Sequence, residues 1–129
     1  MGEQYFDSYE EVLMQGNQVM GGLGGKHHEF PWLIYAFRPS PHFDAIRHWF
    51  DEQNRLWDEL QGFEEQLDED PDLVELEDII DSLESELDTI EQQIEALDLY
   101  IRSERTGHLT PIEIIHIRDG AAEIQPKLV

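Results

Sequence analysis

The sequence predicts an α+β fold dominated by helix: a long antiparallel helical hairpin, coiled-coil-like, on a small base with a short strand and a C-terminal β-hairpin. Three observations carry this expectation. Leu73, Leu76, Ile80, Leu83, Leu87, Ile90, Ile94, Leu97 and Ile101 follow a 3-4-3-4 spacing without a break, the a/d seam of a heptad pattern. Asp70-Pro71 interrupts the apolar pattern just ahead of that seam, and a capping residue followed by Pro starts a helix rather than continuing one. Asp119-Gly120 lies between two apolar runs near the C-terminus, the dipeptide that tight β-hairpins favour.

In chain order, Ser8 with Glu11 three residues later forms a capping box. It predicts a short helix over about Tyr9–Met20, with Tyr9, Val12, Leu13 and Val19 on its apolar side and Gly16 weakening it. Gly21-Gly22-Leu23-Gly24-Gly25 then reads as a hinge or close-approach loop. Trp32–Phe37 is rich in aromatic and β-branched residues and reads as a strand covered on both faces.

Ser40-Pro41 repeats the cap-then-Pro signal and opens a helix expected to reach about Asp68. Three heptad rows run along it: Phe43, Phe50 and Trp57; Ile46, Gln53, Leu60 and Leu67; Trp49, Leu56 and Phe63. Three rows make a face broader than a coiled-coil seam, so this helix contacts more than one neighbour. At helical spacing its aromatic residues read as core against the strand and the C-terminal hairpin, not as a ligand pocket. The second helix is expected to run to about Arg105, with Arg102 and Arg105 at its negative end and Gly107 as its cap. It spans about 50 Å, and the first helix is shorter by a turn or two. Ile112–Arg118 and Ala121–Gln125 form the final hairpin, which Pro126 ends. One structural domain is expected, in three stretches: 1–39, with the N-terminal helix, glycine loop and strand; 40–106, the acidic helical hairpin; and 107–129, the β-hairpin and tail.

The formal net charge is −22, with only eight Lys and Arg among 129 residues. Residues 56–101 hold eighteen Asp and Glu and no Lys or Arg. Direct nucleic-acid binding needs a basic footprint, and an anionic membrane needs a basic surface, so both partner classes are excluded. Two readings of the acidity remain: adaptation to a molar-salt, halophilic cytoplasm, where screening removes self-repulsion, or a surface for a basic partner. There is no Cys, hence no disulfide and no thiolate chemistry. Met1-Gly2-Glu3-Gln4 lacks the cationic start of a signal peptide, and no apolar run is long enough for a membrane span. A cytoplasmic location, or assembly into a particle such as a virion, is expected.

The candidate chemistry is sparse. His27-His28-Glu29, Asp44 with His48, and Glu113 with His116 are the metal-type pairs. A di-iron bundle needs two E-x-x-H motifs on helices, and the one here falls on an expected strand, where positions three apart face opposite sides. No metal or cofactor is expected. The glycine cluster has Met20 and His27 where a phosphate loop would need Gly and Ser or Thr. Ser8, Ser40, Ser82, Ser85 and Ser103 lack nucleophile-elbow context. The sequence therefore points to a non-enzymatic structural or assembly subunit that oligomerises with itself, or docks other subunits, through the Leu/Ile seam. A virion or head–tail connector component is the most specific form of this expectation. The alternative is an acidic inhibitor that mimics nucleic acid and occupies the groove of a DNA- or RNA-binding protein.

Overall fold

The computed structural model of the chain describes residues 10–127. Its organising unit is a sheet, not the helical hairpin. Six strands close into an antiparallel barrel in the order β1-β2-β3-β6-β5-β4. They are β1 Glu11–Gln15, β2 Gln18–Glu29, β3 Trp32–Pro39, β4 Leu99–Ser103, β5 Leu109–Arg118 and β6 Ala121–Pro126. Two helices of 23 residues each, α1 Arg47–Glu69 and α2 Val74–Ala96, are inserted between β3 and β4. The expected helix-dominated fold is thus corrected to a β-barrel carrying a helical arm.

The N-terminal helix expected over Tyr9–Met20 is replaced by β1 and β2; Ser8 and Tyr9 themselves lie outside the described residues. Gly16-Asn17 is the reason. Gly16 adopts φ +57°, and the two residues form a tight turn between Gln15 and Gln18. A two-residue Gly-Asn loop with positive φ at its first position matches the twist of paired strands. The backbone groups of β1 are then satisfied on both sides, by β2 and by β4. The glycine run is not a hinge. It forms the middle of β2, where a Cβ on Gly21 would lie 2.4 Å from the Arg38 carbonyl oxygen and 2.5 Å from the Phe37 ring. Only a residue without a side chain lets β2 and β3 approach so closely at that point. In β3, Tyr35 and Phe37 point into the barrel, Trp32, Leu33 and Ile34 are half-buried and Ala36 is exposed, so this strand is not covered on both faces as expected.

Ser40 caps the next segment, its hydroxyl accepting from the His42 backbone N–H at 3.2 Å. A short 3-10 helix, Pro41–Ala45, precedes α1. The connection at residues 70–73 turns the chain back into α2. The second helix ends at Ala96 and not near Arg105. Asp98 adopts φ +57°, after which Leu99 and Ile101 alternate inward with period two and pair with β1 and β5. Closing the barrel needs this sixth strand, and the coincidence that Leu97 and Ile101 are four apart hid it. The arm is therefore about 35 Å long, its two helices are equal, and the expected length mismatch is absent. At the C-terminus, Asp119 (φ +52°) and Gly120 (φ +76°) make the turn between β5 and β6.

Two apolar clusters hold the molecule. The first fills the barrel with Leu13, Tyr35, Ile101, Ile115 and Ile124 and is closed by Phe43, Ile46, Phe50 and Ile94 from the helices. The barrel end of the arm is thus its plug. The second cluster, Leu56, Leu60, Ile80, Leu83 and Leu87, lies between the helices, with Phe63 and Leu67 packed beside it. Ile90 touches both clusters. Inside the barrel wall Tyr35 donates to Glu11 at 3.2 Å, and burial followed by the Glu11 charge raises its pKa well above the ordinary phenol value.

Candidate functional site

Polar latches fix the arm to the barrel. Asn54 of α1 donates to the Ile117 carbonyl of β5 at 2.8 Å, and Arg118 reaches back to the Asn54 carbonyl at 3.1 Å and to Asp58 at 2.7 Å. On the other helix, Gln15 donates to the Leu97 carbonyl at 3.3 Å, where α2 hands over to β4. From Asp58 outward α1 continues for about 16 Å to Glu69. This outer part, with the facing part of α2, projects as an arm held by its own cluster.

Of the nine seam residues, Ile80, Leu83, Leu87 and Ile94 are buried within the chain, and Ile101 sits in β4 inside the barrel. Leu76, Ile90 and Leu97 are half-buried. At the far end of the arm Leu73 is 40% exposed, Val74 66% and Ile79 40%; Trp57 near the root, and Phe30 and Leu109 on the barrel, are the other exposed large apolar side chains among the described residues. Helix α2 carries nine Asp and Glu from Glu75 to Glu95, on every row outside the seam, and no cation. The few ion pairs of the arm sit near its root, where Arg55 bridges Glu52 and Glu59.

Two clefts flank the root. One, about 270 Å³, opens between α2 and β5. Asp88, Glu91, Gln92 and Glu95 line it from α2, Glu113 lines it from β5, and Leu99 and Ile112 form apolar wall. Gln53 of α1 also lines it. Gln53 is 1% exposed, and its carbonyl Oε1 has no hydrogen-bond partner among the described residues. Burial, and then the neighbouring Asp88 charge, push the Glu91 carboxyl above its ordinary pKa. The second cleft, on the other side of β5, is lined by Asn54, Trp57, His116, Arg118, Ala121 and Glu123. The His116 ring lies 5.6 Å from Trp32 and 6.0 Å from Trp57, and its Nε2 is buried without a hydrogen-bond partner among the described residues. Burial lowers the His116 pKa, opposed in part by Glu123.

The metal-type pairs do not converge. Glu113 lines the first cleft and His116 the second. His27 lies 3.6 Å from Glu29 on the exposed end of β2, Asp44 pairs with Arg47, and the His48 ring packs on Trp49 at 4.5 Å. No three described His, Asp or Glu side chains come together as metal ligands. Among the aromatic residues, Phe43 and Phe50 are core, Trp49 and Phe63 are partly buried, and Trp57 is exposed beside His116. Gln53 escaped sequence reading although its signal was present: it is the one polar member of the row Ile46, Leu60, Leu67. No described helix is long and apolar enough to cross a membrane. No protein-family model matches this chain, and neither a curated protein nor a solved structure matches it.

Proposed function

We propose that this chain is a non-enzymatic assembly subunit that docks onto a neighbouring subunit with the far end of its helical arm. The observation that supports the reading is the placement of Leu73, Val74 and Ile79, all exposed at the far end of the hairpin, where α2 otherwise carries nine Asp and Glu and no Lys or Arg. An apolar contact rimmed by charge is the usual anatomy of a docking patch. The partner that fits is a subunit with an apolar recess rimmed by Lys and Arg. A second copy of this chain brings the same sign of charge to the contact, so it assembles only where salt screens the arms. A place in a multi-subunit particle such as a virion suits such a protein. Mimicry of nucleic acid draws less support, because a phosphate-like ladder needs one stripe of acids and α2 carries them on every row outside its seam.

The test is the native mass of the assembly isolated from its source, for the wild type and for Leu73→Asp/Val74→Asp. Both positions are solvent-exposed and stand at the start of α2, where an added carboxylate suits the positive helix end. The variant is therefore expected to fold and to run as the free chain while the wild type runs in the assembly. A double variant that stays in the assembly overturns the proposal.

A further inference from the structure

We propose that the cleft between α2 and β5 is a binding site for an organic cation that carries a guanidinium or primary ammonium group on an aliphatic stem. It is separate from the tip of the arm and does not depend on what docks there. Four carboxylates, Asp88, Glu91, Glu95 and Glu113, face one cavity. Asp88, Glu91 and Glu95 follow i, i+3 and i+7 spacing and so share a face of α2. Among the described residues no Lys or Arg forms an ion pair with any of the four. Burial, and after it the Asp88 charge, raise the Glu91 pKa.

Acidity alone would fit a solvated helix face. Gln53 is the independent observation. Gln53 lines the cleft, 1% exposed, with Oε1 unpartnered among the described residues. A buried carbonyl without a donor is costly. It stands in a row that otherwise packs as core, where a Leu would remove the cost. The group it lacks is an N–H donor. A compact metal ion matches poorly, because among the described residues no three carboxylates come together as ligands. A guanidinium spreads five N–H donors over a plane, and an ammonium offers three that rotate. Either reaches Gln53 Oε1 and more than one carboxylate. The apolar wall of Leu99 and Ile112 suits the methylene stem, as long cationic side chains lay their stems on apolar surface. About 270 Å³ is below the range of drug-sized pockets and admits one such side chain or a small free amine.

Calorimetric titration of the full-length protein with agmatine, with an arginine-containing neutral peptide and with tetramethylammonium tests this. Saturable one-to-one binding of agmatine or the peptide is expected. Agmatine binding as tightly as the peptide marks a free-amine site, and peptide binding at least tenfold tighter marks a site for a partner's arginine. Tetramethylammonium, which has charge and no N–H donor, is expected to bind at least tenfold more weakly than either. Gln53→Leu is expected to raise the melting temperature and weaken binding at least tenfold, a combination a purely structural role does not give. Glu95→Gln, at an exposed position, is expected to weaken binding several-fold in a protein of unchanged stability. Equal affinity for tetramethylammonium, unchanged affinity in Gln53→Leu, or no saturable binding at millimolar ligand overturns the proposal.

Discussion

Leu60→Ala tests whether the arm and the barrel are separate units of stability. Leu60 is buried at the centre of the arm's cluster, against Ile80, Leu83 and Leu87 from the other helix. The change removes three carbons, about 2.4 kcal/mol of transfer free energy at ~0.8 kcal/mol each. A cavity term adds to this, but a two-helix hairpin has open flanks and closes partly around the gap. A total of about 3 kcal/mol is expected, near the low end for buried Leu. Because Ile90 is the shared member of the two clusters, this loss falls on local opening of the arm. At about 1.4 kcal/mol per tenfold, amide exchange in residues 60–67 and 80–87 speeds up by on the order of a hundredfold. Amides of Leu13, Ile101, Ile115 and Ile124 in the barrel change by less than about tenfold on the same arithmetic. Equal acceleration in arm and barrel would refute the two-unit account. Acceleration of the arm below about threefold would show that the cluster is not its core.

Further outcomes follow from the same packing. Gly21→Ala is expected to cost up to about 3 kcal/mol, because the obstructing Arg38 oxygen belongs to the paired backbone and cannot swing aside. Gly62→Ala, on α1 with nothing near its missing Cβ, is expected to gain about 0.5–1 kcal/mol; urea midpoints of the two variants report both signs. His116 has a lowered pKa in the folded protein. Its stabilising contribution is complete above its unfolded value, about 6.5, and is lost as pH falls through the folded value. Melting curves of wild type and His116→Phe are expected to diverge between about pH 7 and 5, the wild type losing more stability on acidification; parallel curves contradict this. Melting temperature is expected to rise with salt as the Debye length falls from about 10 Å at 0.1 M to about 3 Å at 1 M, since the arm's acids are mostly unpaired. A flat curve removes the salt-adaptation reading of the acidity.

Much of the arm was legible because its signals are local. The 3-4 spacing from Leu76 to Ile94 and the Asp119-Gly120 turn act within a few residues of themselves; the two cap-then-Pro signals marked breaks but not the α-helix starts, since Ser40 caps the 3-10 helix, Asp70 ends α1, and α2 begins at Val74 without a side-chain cap. The barrel was not legible, because it depends on pairings between residues far apart in sequence. Leu13 opposite Ile101 and Leu33 opposite Ile124 leave no trace in a short window. β1 and β4 are five residues each, too short for period two to outweigh an accidental helical spacing. Gly16-Asn17 was the missed clue: a dipeptide that weakens a helix also makes a hairpin turn. The glycine run failed for a related reason. Gly21 is small because β3 lies against it, and Gly25 because its backbone takes a positive φ. At the root cleft Gln53 was visible as an odd member of its row, but Glu113 is brought to it by the barrel and by nothing in the local sequence.

The most direct measurement places a photo-activated cross-linking side chain at Val74 and, as a control, at exposed Asp44 beside the barrel, in protein expressed in its source. The docking account predicts a discrete adduct from position 74 with one subunit, mapping to a basic-rimmed apolar recess. That adduct disappears in Ile79→Asp, and none forms from position 44. Equal labelling from both positions, or an adduct at 74 that Ile79→Asp leaves intact, would contradict the claim that the tip of the arm is the docking surface.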